Sequence, residues 1–171
     1  FIERKSSFTK TPFYHAGLFY IQEASSMLPP VLLDPQPGEK VLDVCASPGS
    51  KTTQMIALMQ NQGLLVANEF RRDRVGRLME NIIRWGARNT VIPNQPSSCF
   101  TPLSEFFDKI LVDAPCSGEG MFKKDPEALR CWSLQNVKTC SSVQKQILRD
   151  ILPALKTGGT LVYSTCTMAP E

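Results

Sequence analysis

An α/β fold with a mainly parallel sheet is the class this sequence predicts, on three observations. Five short runs rich in branched aliphatic residues recur along the chain, segments of helical spacing separate most of them, and chemically distinctive residues gather directly after the runs. Buried parallel strands read as short, continuous apolar stretches, and successive parallel strands need a crossover, usually a helix, so the alternation points to a sheet covered on both faces. In such sheets ligands bind beyond the carboxyl ends of the strands.

The elements follow in order. Residues 22–33 read as a helix interrupted at Pro29-Pro30 and belong to a lead-in segment, 1–34, ahead of a core over 35–171. The first strand is 41–45 (VLDVC), a helix spans 50–60, and the second strand is 64–68 (LLVAN). A helix over 71–85 sets Val75, Leu78, Met79 and Ile82 at i, i+3, i+4 and i+7, the spacing of one buried face. The opposite face carries Arg74, Arg77 and Arg84, with Arg88 just beyond, a set suited either to phosphate contact or simply to water. Strands at 90–92 and 109–113 (KILVD) come next. Ser133 is a cap candidate for a helix reaching about Leu152, which turns Val137, Cys140, Ile147, Leu148 and Ile151 inward before Pro153. The last strand is 160–164 (TLVYS).

A chain of 171 residues with 42% hydrophobic content buries one ordinary core, so one domain is expected. No apolar run is long enough to span a bilayer, and the first residues lack the pattern of a signal peptide, which predicts a cytoplasmic location. Six cysteines, none paired as CxxC, read as reduced thiols and offer no zinc site. The net charge of +3 is too small to identify a nucleic-acid partner by itself.

The strand ends carry the chemistry. After the first strand, the seven residues Cys45, Ala46, Ser47, Pro48, Gly49, Ser50 and Lys51 make a tight turn into a helix, so backbone amides can approach a ligand closely. A phosphate-binding Walker loop would need glycines that are absent here. Glu69 closes the second strand, where an acid can accept from both hydroxyls of a ribose; together with the turn it suggests an adenosine-containing cofactor, although a surface glutamate is the plainer reading of Glu69 alone. Cys116 and Cys166 follow the fourth and fifth strands, and Asp113 shares their crevice. A thiolate can add to a ring carbon made electrophilic by an adjacent acid, which permits covalent catalysis on a heteroaromatic ring. Cysteine hydrolase chemistry is disfavoured because the single histidine, His15, precedes the sheet.

The strings GLFYIQEASSMLPP, VLDVCASPGSKTTQ, LLVANE, ENIIRWGARN, FDKILVDAPCSGEGMFKKDP and LVYSTCTMAPE resemble the NOL1/NOP2/Sun family of RNA cytosine-5 methyltransferases, most closely its bacterial small-subunit rRNA branch. The resemblance runs from about Gly17 to the last residue, and DAPCSGEG with STCT is its most specific part. It implies a Rossmann-like class I methyltransferase core using S-adenosylmethionine. It also implies that 45–51 hold the cofactor, that Glu69 holds its ribose, and that Asp113 lies beside the cofactor and pairs with the target base. Cys166 matches the nucleophile, and Cys116 the cysteine that assists removal of the ring proton. Lys51 is expected to position rather than to touch substrate, and Lys123 and Lys124 are candidates for RNA backbone contact. The implied partner is RNA, rRNA ahead of tRNA, bound by a monomer without metal or membrane.

Two features depart from the family pattern. Asn94 is followed by Gln95 and Pro96 where the family usually has an acidic or polar contact to adenine, so adenine recognition is expected to rely on Gln95, backbone groups or apolar contact. The chain also reaches Glu171 without the two further strands of the family's sheet, which would leave the fifth strand at an edge. A catalytically silent RNA-binding or assembly module on the same fold is the rival reading.

Overall fold

The computed structural model describes residues 8–122, 126–130 and 132–170. Its strands are β1 (Lys40–Asp43), β2 (Leu64–Ala67), β3 (Thr90–Val91), β4 (Phe107–Asp113) and β5 (Leu155–Ser164). They form one sheet in the order β3-β2-β1-β4-β5, parallel at every pairing. The helices are α1 (Pro12–His15), α2 (Leu28–Leu33), α3 (Ser50–Leu58), α4 (Arg72–Trp85), α5 (Pro126–Arg130) and α6 (Leu134–Ile151).

Side-chain alternation along the central strands sorts the core into two layers. Val41, Leu65 and Leu111 point to one face, where they meet Leu33, Met55, Ile56, Leu78 and Ile82 from α2, α3 and α4. Leu42, Ile110 and Val112 point to the other, against Phe100, Phe107, Ile147 and Ile151, the last two from α6. Each fully buried aliphatic side chain contributes roughly 1.5–3 kcal/mol relative to exposure, and these two layers are what hold the strand ends in register. The chain order reverses between β1 and β4, which makes the crevice beyond their carboxyl ends the switch point of the sheet.

The lead-in helix differs from the expectation. Pro29 and Pro30 begin α2 instead of interrupting it, because a proline in the first turn has no intrahelical hydrogen bond to lose. A 3₁₀ turn at Ser25–Met27 precedes it. In α4, Leu78 and Ile82 are buried but Met79 is about half exposed, so the stripe is narrower than its spacing suggested. In α6, Ser133 caps as expected, accepting from the Asn136 amide at 3.1 Å, while Ser141 rather than Cys140 is fully turned inward. β5 starts five residues earlier than the apolar pattern indicated and pairs with β4 through a bulge between Phe107 and Lys109.

Candidate active site

Four loops meet beyond the strand ends, after β1, β2, β4 and β5. The side chain of Asn68 ties the ends of β1, β2 and β3 together. Its amide nitrogen donates to the Val44 and Gln95 carbonyls at 3.1 and 3.0 Å, and its oxygen accepts from the Gln95 amide at 3.1 Å. Asn94 donates to the Glu69 and Phe70 carbonyls at 2.6 and 2.8 Å, so the loop carrying Gln95 and Pro96 is fixed against the end of β2.

The loop after β1 enters α3 at Gly49, whose φ of 106° is a left-handed conformation. A Cβ there would lie 3.2 Å from Leu78 Cδ1, so glycine serves both the turn and its packing on α4. Arg74 reaches from α4 to donate to the Ser47 carbonyl at 2.6 Å, and Ser47 Oγ donates back to the Arg74 carbonyl at 3.1 Å. Arg84 donates to the Tyr14 carbonyl at 3.1 Å and lies 3.8 Å over the Tyr14 ring. The arginine face proposed for phosphate or water is therefore partly spent inside the protein: Arg74 braces the loop after β1, and Arg84 anchors the lead-in segment.

A cavity of about 560 Å³ lies in the crevice, lined by Cys45, Ala46, Ser47, Pro48, Ser50, Lys51, Asp113 and Cys166 among the residues expected there. Gly49, Glu69 and Cys116 do not line it. Lys123 and Lys124 lie outside the described residues. Inside the cavity Lys51 Nζ donates to Asp113 Oδ2 at 2.7 Å and to Ser26 Oγ at 3.2 Å, while Ser164 Oγ donates to Asp113 Oδ1 at 2.7 Å. Lys51 is thus a positioning partner of Asp113, and both Asp113 oxygens are already oriented from the protein side.

Two carboxylates offer unused acceptors. Glu69 is buried; its Oε1 accepts from the Arg71 amide at 2.8 Å, whereas Oε2 has the Arg74 guanidinium 3.5 Å away but no hydrogen bond. Asp43, at the end of β1, lines the cavity; its Oδ2 accepts from Thr52 Oγ1 at 2.7 Å, and its buried Oδ1 has no partner. Burial pushes the Asp43 carboxyl up to about 7, against the Thr52 hydrogen bond and with help from the nearby Asp113 charge. Sequence reasoning missed Asp43, although the acid inside VLDVC was its signal. The wall formed by Glu23, Ser25, Ser26 and Pro29 was also missed, and nothing in the local sequence announces it.

Cys116 and Cys166 come together with their sulfurs 3.1 Å apart. Hydrogen bonding from Cys166 in the first place, then from Thr165 and the Gly118 and Cys166 amides, outweighs desolvation and brings the Cys116 thiol down to about 5. The hydrogen bond to Cys116, then burial and the Cys116 and Asp113 charges, raise Cys166 above the ordinary thiol range. These shifts favour the thiolate on Cys116 and the proton on Cys166. Burial, with the Asp43 and Glu69 charges, pushes Cys45 up to about 12, so this thiol lines the cavity without being reactive.

The geometry has counterparts in known proteins. The chain is 54% identical over 159 residues to ribosomal RNA small subunit methyltransferase F of Vibrio cholerae, a match covering 91% of this chain and 34% of that protein. The protein of the same name from Vibrio vulnificus is 48% identical over 172 residues, covering 99% and 36%. The chain therefore spans about a third of the length of these relatives. Among solved structures, a methyltransferase homolog protein from Pyrococcus horikoshii superposes with a TM-score of 0.84 at 42% identity, covering 97% of this chain and 52% of that one. NSun6 from the same organism, solved with SFG, gives 0.86 at 30% identity, covering 96% and 42%. The family model for 16S rRNA methyltransferase RsmB/F matches residues 30–171, and with the paired cysteines, the Lys51–Asp113 pair and the parallel sheet in place, the chain belongs to that family.

Proposed function

We propose that this chain is the catalytic core of an RNA cytosine-5 methyltransferase acting on small-subunit rRNA with S-adenosylmethionine as methyl donor. The observation that carries the reading is the Cys116–Cys166 contact at 3.1 Å, next to the cavity that holds the Lys51–Asp113 pair.

The residues present fit the cofactor. Glu69 Oε2 and Asp43 Oδ1 are buried acceptors without hydrogen-bond partners at the ends of neighbouring strands, and the cofactor offers ribose hydroxyls and an ammonium as donors. Residues 45–51 and Asp113 complete the set that would hold it, and the relative solved with SFG, an S-adenosylmethionine analogue, supports the assignment. When bound, the cofactor supplies an electrophilic methyl group on a sulfonium.

The protein's own residues account for the rest. Cys166 passes its proton across the 3.1 Å contact to the Cys116 thiolate as its own sulfur bonds to carbon 6 of the target cytosine. Electron density then moves into the ring, making carbon 5 nucleophilic. The Asp113 carboxylate accepts from the cytosine amino group and orients the ring, while the Lys51 ammonium beside it offsets the developing negative charge. Cys116, half exposed, releases its proton to water and then takes the proton from methylated carbon 5, as the bond from Cys166 to carbon 6 breaks and aromaticity returns. The reaction releases one proton per methyl transferred. No helix among the described residues is long and apolar enough to cross a membrane.

Transfer of labelled methyl from S-adenosylmethionine to unmodified small-subunit RNA tests the reading. Label on cytosine carbon 5 that disappears in Cys166→Ala is expected. A folded, cofactor-binding protein that labels no RNA would leave the silent RNA-binding module in its place.

A further inference from the structure

Beyond Asp113 and Ser164 the β4–β5 ladder ends, with Ala114 donating to the Ser164 carbonyl at 2.8 Å. The two cysteines therefore sit on loops that the sheet no longer holds. Glu119 sits where those loops meet. Ser117 Oγ lies 2.8 and 2.9 Å from the two Glu119 oxygens, and Trp132 Nε1 donates to Oε1 at 2.7 Å. Ser117 Oγ is also 3.1 Å from Thr167 Oγ1.

A hydroxyl has one proton, and a carboxylate only accepts. Ser117 donates to Glu119, which accepts from the Thr167 hydroxyl as well, while Thr167 Oγ1 lies 3.1 Å from Ser117 Oγ and accepts from the Ala169 amide at 3.1 Å. The carboxylate thereby gathers one hydroxyl from the Cys116 loop and one from the Cys166 loop. Burial would raise the Glu119 carboxyl, but hydrogen bonds from Trp132, Thr167 and Ser117 outweigh it and hold the group at about 2. Gly120 completes the junction by donating to the Cys166 carbonyl at 2.8 Å.

We propose that Glu119 is a positioning residue for the reaction proposed above: its carboxylate clamps the Cys116 and Cys166 loops together and so fixes the distance between the two thiols. It touches neither thiol, and acts through Ser117 and Thr167. A shift of about 1 Å in reacting groups can cost on the order of 100-fold in rate, so the clamp matters more to catalysis than a peripheral hydrogen-bond network would suggest.

The test is made in the full-length protein with dibromobimane, which fluoresces when it bridges two nearby thiols; peptide mapping identifies the Cys116–Cys166 bridge. Glu119→Ala and Thr167→Val should bridge at least about tenfold more slowly than wild type, and Thr167→Ser, which keeps the hydroxyl, should restore the rate. With RNA and S-adenosylmethionine, kcat of Glu119→Ala should fall about 100-fold with KM for the cofactor little changed. Wild-type bridging in both Glu119→Ala and Thr167→Val would overturn the clamp. If Glu119→Ala does not fold, the Thr167→Val and Thr167→Ser pair decides alone. Should the wild-type protein methylate no RNA, the proposed reaction fails, while the bridging rates still judge the clamp.

Discussion

Replacing Glu69 with glutamine keeps the volume of the side chain but puts an amide where Oε2 now presents a lone acceptor. Oε1 is already committed to the Arg71 amide at 2.8 Å, so Oε2 is the atom free to receive a ribose hydroxyl. A hydrogen bond to a charged group contributes about 1.5–3 kcal/mol net. Losing one such bond predicts a Kd for S-adenosylmethionine roughly 10- to 150-fold weaker. Arg74 still donates to the Ser47 carbonyl in the variant, so the loop after β1 keeps its main brace and the melting temperature should move little by comparison. Titration calorimetry on the wild type and Glu69→Gln, with melting curves alongside, measures both quantities. An unchanged Kd in a folded variant would refute the assignment of Oε2 to the cofactor.

Asp43 predicts a dependence on pH. The folded carboxyl holds its proton up to about pH 7, whereas the unfolded one releases it near 3.8, so stability is lost as pH rises through that window. Asp43→Asn should therefore melt higher than wild type at pH 8, with the gap closing toward pH 5; a gap independent of pH would contradict the buried, partnerless oxygen. Gly120→Ala places a Cβ 2.8 Å from the Cys166 carbonyl oxygen and 3.0 Å from its Cβ, so methyl transfer should fall on the order of 100-fold. By contrast, Gly76→Ala on α4 meets nothing within 4 Å and should raise stability by about 0.5–1 kcal/mol in denaturant unfolding, with activity retained. Alkylation by iodoacetamide at pH 7 should modify Cys116 ahead of Cys166, following a titration near pH 5; modification of Cys166 first would reverse the proton assignment in the pair.

The parallel sheet and its crevice were legible because buried strands such as KILVD and VLDVC announce themselves as short apolar runs, and their following loops carry the motifs. Cys45 to Lys51, Asp113 and Cys166 could be found from those loops, and most of them line one cavity. Other features depend on what the fold brings together. Pro29-Pro30 reads as a break until the helix is seen to begin there. Arg74 and Arg84 look like a solvent or phosphate face because periodicity records the direction of a side chain but not its reach, and a guanidinium can turn back to a carbonyl two dozen or more residues away in sequence. From the sequence Glu119 has no role of its own, because its partners Trp132 and Thr167 come from other parts of the chain. The partnerless oxygens of Asp43 and Glu69 are visible only once every neighbouring donor has been assigned.

The measurement closest to the central claim is mass spectrometry of the full-length protein after reaction with S-adenosylmethionine and small-subunit RNA carrying 5-fluorocytosine, whose fluorine cannot leave as a proton does and so arrests the reaction with the thiol still attached to carbon 6. The account predicts one RNA-linked peptide, the one containing Cys166, present in wild type and absent in Cys166→Ala. A linkage at Cys116, or no linkage under conditions where ordinary RNA is methylated, would contradict it.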